Sequence, residues 1–116
     1  MCTRAALERI TISVRDEALR IFVDKLNCII LYGSYARGDN DSGSDIDLML
    51  LLDIPADALG QYRREIARVT SRLSLEDNDC VTISVALQDL ETFEKYKAVL
   101  PYYRNVVSEG VIIYAA

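Results

Sequence analysis

Histidine and tryptophan are both missing from this 116-residue chain, and the missing histidine restricts its chemistry most. Without an imidazole the chain cannot supply a Ser-His-Asp triad, a Cys-His pair or the imidazole-rich zinc sites common in hydrolases. Any catalysis has to rest on carboxylates. Cysteine is scarce: Cys2, Cys28 and Cys80 are odd in number, widely separated and free of any C-x-x-C pair, so neither a disulfide framework nor a zinc ribbon is implied. All three are expected to act as small buried hydrophobes. Long apolar runs are absent too. Runs such as residues 28–32 and 48–52 reach only five residues, whereas a membrane-spanning helix needs about 20. The opening MCTRAALERI has no signal-peptide apolar run, so the expected location is the cytoplasm, away from membranes.

No internal repeat, low-complexity tract or Pro/Gly/Ser-rich linker divides the chain, and its length suits one domain, expected to span residues 1–116. The composition, 51% hydrophobic and 27% charged, is that of an ordinary globular protein. Net charge is −5, so the chain should repel duplex nucleic acid, whose binding depends on Lys and Arg neutralising phosphates. A single nucleotide remains compatible with that balance, because divalent cations can carry the charge that side chains lack.

Apolar periodicity sets the expected elements. Leu7, Ile10, Val14, Ala18, Ile21 and Phe22 recur at steps of mostly three and four, predicting a helix over 4–26 with one buried face. Residues 27–32 read as a strand buried on both sides and stopped by Gly33, and residues 45–52 as a second strand with carboxylates at its entry. Pro55 opens a further helix running to residue 75. Val81, Ile83 and Val85 alternate with Thr82 and Ser84, the pattern of a third strand. A short helix over 89–97, another from Pro101 to near Gly110, and a short strand over 111–114 complete the chain. The order α-β-turn-β-α-β-α implies an α+β fold, a small mixed sheet backed by helices.

The chemistry concentrates in Gly33-Ser34, a ten-residue gap (35–44) and Asp45-Ile46-Asp47. Side chains two apart on a strand project to the same face, with Cα atoms about 6.6–7 Å apart, so Asp45 and Asp47 aim at one spot. Two such anions repel each other unless solvent or a divalent cation neutralises them, and hard oxygen donors favour Mg²⁺ or Mn²⁺ over zinc. The alternative is a pair of exposed aspartates serving a turn. Gly33, at the end of a buried strand, permits positive φ or close approach of a ligand. Ser34 is expected to N-cap a helical turn through residues 35–37, an anion site on which a phosphate can rest. Arg37, one turn on, is placed to add charge-assisted hydrogen bonds.

The segment GSYARGDNDSGSDIDLMLLLD resembles the signature of the polymerase β-like nucleotidyltransferase superfamily, and its spacing is most similar to that of the minimal nucleotidyltransferases. The resemblance implies that Gly33 and Ser34 hold nucleotide phosphates and that Asp45 and Asp47 bind divalent ions. It implies transfer of a nucleoside monophosphate from an NTP, with ATP the expected donor, to a hydroxyl acceptor, releasing pyrophosphate. The family commonly adds a third carboxylate from the strand beside the Asp-x-Asp strand. Here the nearest acid is Asp79, just ahead of the third strand. If it shares a face with Val81 and Ile83 it points toward the core, since a one-residue shift of register reverses every side chain. Cys80, in the alternative register, is a poor Mg²⁺ ligand.

Other features carry plainer expectations. Arg64, Arg68 and Arg72 form a basic helical stripe, expected to be a solvated face. Tyr102 and Tyr103 are expected in packing, with stacking on a nucleobase the alternative, and Asp39 and Asp41 as solvated turn residues. The reading is therefore a Mg²⁺-dependent nucleotidyltransferase with a nucleoside triphosphate as substrate. Its expected acceptor is a hydroxyl, with a small helical partner protein or a second copy of the chain as candidate partners. The competing reading is a catalytically weak or inactive protein of the same fold, acting as an antitoxin-like partner of a helical toxin or nuclease.

Overall fold

In a computed structural model, which describes residues 3–76 and 81–116, the N-terminal amphipathic segment forms α1 (Arg4–Phe22). Thr3 caps it, its hydroxyl oxygen accepting from the Ala6 N–H at 3.1 Å. The helix stops where Val23 takes a left-handed φ of 53°, a conformation that costs a β-branched residue energy and turns the chain sharply toward the sheet. After one 3₁₀ turn (Val23–Lys25) come β1 (Leu26–Tyr32), the single-turn helix α2 (Ser34–Arg37) and β2 (Ile46–Leu52). A 3₁₀ segment (Ala56–Tyr62) follows Pro55 and leads into α3 (Arg63–Glu76). The remainder is β3 (Ile83–Asp89), α4 (Leu90–Tyr96), α5 (Pro101–Glu109) and β4 (Val111–Ala115).

The strands form one mixed sheet in the order β3-β2-β1-β4, with β1 antiparallel to both β2 and β4 and β2 parallel to β3. Strand alternation divides its contacts. Ile46, Leu48, Leu50 and Leu52 join Ile29 and Leu31 in the larger core beneath α1 and α3, against Ile10, Val14, Phe22, Ile66, Val69 and Leu73. On the opposite face Met49 and Leu51 join Cys28 and Ile30 against Phe93 of α4 and Val106 of α5. The two central strands are thus apolar on both faces, which accounts for their uninterrupted hydrophobic runs.

The third strand lies two residues later than its sequence pattern predicts at the start, and it runs on through Asp89. Gln88 is held there because its amide oxygen accepts from the Tyr103 hydroxyl at 3.0 Å. The strand ends where the buried Asp89 carboxylate turns to accept the Thr92 N–H at 2.8 Å and caps α4. The helix expected from Pro55 likewise divides into the 3₁₀ segment and α3. Cys28 is buried as expected, and burial pushes its thiol pKa up; Cys2 and Cys80 lie outside the described residues. The arginine stripe is solvated: Arg64 and Arg68 are exposed, and Arg72 pairs with Glu17 and Glu76. Among the described residues, no helix is long and apolar enough to cross a membrane.

One close approach fixes α5 over the sheet. A Cβ on Gly110 would collide with the Val106 carbonyl oxygen and lie 2.5 Å from Ile30 Cγ2, so a residue without a side chain lets the end of α5 press onto β1. That packing sets the first turn of α5 beside the end of β1, where the motif begins.

Candidate active site

The signature spans the turn between two antiparallel neighbours. β1 ends at Tyr32 and β2 begins at Ile46, with Tyr32 and Asp47 directly opposite each other in the register. Gly33 has φ of 74° and ψ of −157°, which an L side chain rarely adopts, and its carbonyl accepts from the Ala36 and Arg37 N–H groups at 3.1 Å each. Helix α2 therefore starts one residue earlier than its sequence predicts. Gly33 is the N-cap, and Ser34, expected there, is the first helical residue with no side-chain capping bond. Beyond α2, the Asp41 carboxylate accepts from the Gly43 N–H at 2.9 Å and the Ser44 hydroxyl at 3.2 Å, folding the loop back toward β2. Asp39 and Asp41 are both exposed turn residues, as expected.

Asp47 is the most constrained side chain of the motif. It lies on the Met49 and Leu51 face of β2, half-buried, with its carboxylate against Gly33: a Cβ on that glycine would overlap Asp47 Oδ2. Burial, and then the negative charge of Asp45, holds the Asp47 pKa above its ordinary value, with Arg37 acting in the opposite direction. Asp45 is exposed at the entry to β2. Among the described residues, no lysine or arginine forms an ion pair with either acid. The arrangement is two anions, one desolvated, without a cation. Its donor set suits Mg²⁺ or Mn²⁺, which take hard oxygen ligands and are commonly held by one or two carboxylates together with substrate phosphates.

The motif opens onto a cleft of about 400 Å³ whose walls include Gly33, Ser34, Arg37 and Asp47, while Asp45 is not part of its lining. Such a volume lies within the usual range for small-molecule sites. Its far wall comes from α5, which contributes Tyr102, Asn105 and Glu109, while Tyr32 borders it from β1. Arg37, expected to support a phosphate, reaches the cleft already engaged: its guanidinium donates to Asp39 at 3.1 Å and to Glu109 at 3.2 Å. Both pairs are solvent-exposed and hence weak, so an incoming phosphate can compete for the guanidinium.

The third carboxylate has no counterpart on the described part of β3. Parallel pairing sets Ser84 beside Asp47, Ala86 beside Met49 and Gln88 beside Leu51, so the face shared with Asp47 carries a serine, an alanine and a glutamine. Asp79 lies outside the described residues, and among those described no group of three or more acids or cysteines gathers as a metal site. The parity expected from the sequence is nonetheless correct. Ile83 and Leu87 point into the larger core, and the polar positions face the other way.

Comparison with known proteins decides the family. The family model described as "Nucleotidyltransferase domain" matches residues 14–114, nearly the whole chain. The chain belongs to the nucleotidyltransferase domain family. This nucleotidyltransferase is 32% identical over 107 residues to a Methanocaldococcus jannaschii protein named "Putative protein adenylyltransferase", covering 85% of this chain and 97% of that one. A solved structure described as a toxin-antitoxin with AMP-PNP is 27% identical, with a TM-score of 0.51 over 89% of this chain and 72% of that one. A Sulfolobus solfataricus structure, described as a "putative nucleotidyltransferase", shares the fold at 15% identity, with a TM-score of 0.55 over 97% of this chain and 89% of that one.

Two outcomes follow for this nucleotidyltransferase. Because the folded state raises the Asp47 pKa, it disfavours the carboxylate relative to the unfolded chain, so Asp47 costs stability as pH rises through its folded pKa. In metal-free buffer, Asp47→Asn should melt above the unsubstituted protein at neutral pH, with the difference closing as pH falls below the ordinary carboxylate range. A variant melting lower at neutral pH would contradict the assigned burial and repulsion. Ser84→Asp places a third carboxylate beside Asp47 and should tighten Mn²⁺ binding about tenfold or more in a direct titration, since ligand charge governs divalent affinity; unchanged affinity would show that Ser84 does not face the acid pair.

Proposed function

We propose that this nucleotidyltransferase uses Mg²⁺ to move AMP from ATP onto a hydroxyl group of a partner protein, releasing pyrophosphate. Asp45 and Asp47 hold the ion. Gly33 and Ser34 seat the phosphates, and Arg37 exchanges Glu109 for a phosphate oxygen when substrate enters. The observation that carries the reading is the placement of Asp47, whose unpaired carboxylate lies against the Gly33 bend at the wall of an open cleft. When bound, the ion would polarise the phosphate oxygens and offset the charge that develops during displacement. The acceptor oxygen attacks the α-phosphorus, the bond from that phosphorus to the pyrophosphate oxygen breaks, and the hydroxyl proton passes to a base. Asp79 remains the proposed source of a third carboxylate in this step.

The name of the M. jannaschii relative supports a protein acceptor, and the AMP-PNP complex of the toxin-antitoxin neighbour supports an adenine nucleotide and a protein partner. A second reading draws on β3, the strand adjacent to β2, where Ser84 and not an acid stands beside Asp47. In that reading the chain binds nucleotide and partner but turns over slowly, and neutralises the partner by binding it.

Turnover separates the two. With Mg²⁺ and α-labelled ATP, and with the copurifying protein as acceptor, label should move to that protein. Asp45→Asn or Asp47→Asn should reduce transfer on the order of 10²–10³-fold, the cost of removing one preorganised group that stabilises transition-state charge. Undiminished transfer in both variants would refute the catalytic roles. Undiminished partner binding and neutralisation, with no transfer by any form, would establish the second reading.

A further inference from the structure

The α5 side of the cleft has a construction that phosphate transfer alone does not require. Tyr102, in the first turn of α5, is 48% exposed, and its hydroxyl donates to the Tyr32 hydroxyl at 3.1 Å. Its ring meets Tyr32 edge-on, with centroids 6.1 Å apart, and lies tilted by 33° against Tyr103 at 5.5 Å. Tyr103 is itself packed edge-on against the buried Phe93 at 5.4 Å and donates to Gln88 at 3.0 Å. Sequence expectation places both tyrosines in packing, and only Tyr103 follows it. Tyr102 is braced from two sides while nearly half its surface stays open, so the ring is preorganised and little further ordering is required when a flat ligand lands on it.

Three residues along α5, Asn105 shares that wall of the cleft. Positions i and i+3 lie on one face of a helix, so ring and amide present themselves together. Among the described residues the Asn105 side-chain amide has no protein partner; the Ser108 hydroxyl donates instead to the Asn105 backbone carbonyl. Tyr32, half-buried at the edge of the same cleft, accepts the Tyr102 hydrogen bond. Tyr32 is also the cross-strand neighbour of Asp47, so it joins the α5 wall to the acid end without a break.

We propose that Tyr102 and Asn105 form the nucleobase subsite of this cleft, with a purine ring stacked on Tyr102 and the Asn105 amide reading the N6/N7 edge of adenine. An asparagine amide matches that edge with one acceptor for the 6-amino group and one donor for N7. Guanine presents acceptors at both places, O6 and N7, and leaves the amide oxygen facing another oxygen. Pyrimidines offer a smaller stacking surface. The subsite therefore favours ATP over GTP and over pyrimidine triphosphates. The assignment rests on the proposed seating of the phosphates at Gly33, Ser34 and Asp47.

Equilibrium binding of ATP, GTP and inorganic tripolyphosphate, each with Mg²⁺, tests it on the intact chain. Tyr102→Ala should weaken ATP about tenfold, the range of one base-aromatic stack, and leave tripolyphosphate binding unchanged; that second result also reports an intact fold. Tyr102→Phe, which keeps the ring, should retain most of the ATP affinity. Asn105→Ala should bring the ATP and GTP affinities together. The subsite is overturned if ATP binding is insensitive to Tyr102→Ala and Asn105→Ala while tripolyphosphate still binds in an Asp47-dependent way. It is equally overturned if the two variants slow transfer without altering ATP affinity, since they would then border the acceptor. Failure of the unsubstituted protein to bind either ATP or tripolyphosphate would overturn the phosphate seating together with the subsite.

Discussion

A carboxylate pressed against a glycine organises this molecule. Asp47 occupies the volume that any side chain at position 33 would need, and Gly33 takes a backbone conformation that few other residues tolerate, so the two positions constrain each other. Their contact exists because β1 and β2 are antiparallel neighbours in a register that pairs Tyr32 with Asp47. The register in turn depends on two apolar strands buried on both faces, where a slip of one residue would exchange the side chains of the two cores. Packing of the two cores thus fixes the position of one acid. The local electrostatics work against stability, since Asp47 is partly desolvated and repelled by Asp45. Strain of that kind, set in a cleft, is characteristic of functional positions.

The sequence makes one side of the cleft legible and leaves the other hidden. Gly33, Ser34, Asp45 and Asp47 can be read from a spacing of fifteen residues because the turn that joins them is local. The alternation at residues 81–85 reads correctly as well, and through the parallel pairing it identifies Ser84 as the neighbour of Asp47. The boundaries of that strand are less legible. Its extension to Asp89 depends on Tyr103, from another helix, holding Gln88. The α5 wall is invisible for the same reason. Glu109 meets Arg37 across 72 positions of sequence, and Tyr102 meets Tyr32 across 70. No periodicity encodes such meetings. They follow from the close seating of Gly110 on β1, a tertiary contact.

Family membership and geometry constrain function at different levels. The domain match and the M. jannaschii relative make the chain a nucleotidyltransferase, whereas the choice of base, ion and acceptor belongs to individual side chains. Arg37 illustrates the difference: its motif position suits the proposed phosphate contact, yet the fold gives it two acidic partners, Asp39 and Glu109, with which a phosphate would have to compete. Ser84 illustrates it again. The pairing that could set an acid beside Asp47 sets a serine there, so the proposed transfer draws no base from that position.

The position of the metal relative to the nucleotide is the central claim, and it can be observed directly. Crystals of the protein grown with Mn²⁺ and a non-hydrolysable ATP analogue, measured for anomalous scattering, should place the ion within coordination distance of both the Asp45 and Asp47 carboxylates. The phosphates should bridge that ion to the Gly33-Ser34 turn. Manganese away from these acids, or phosphates bound at another surface while the acids stay bare, would contradict the account.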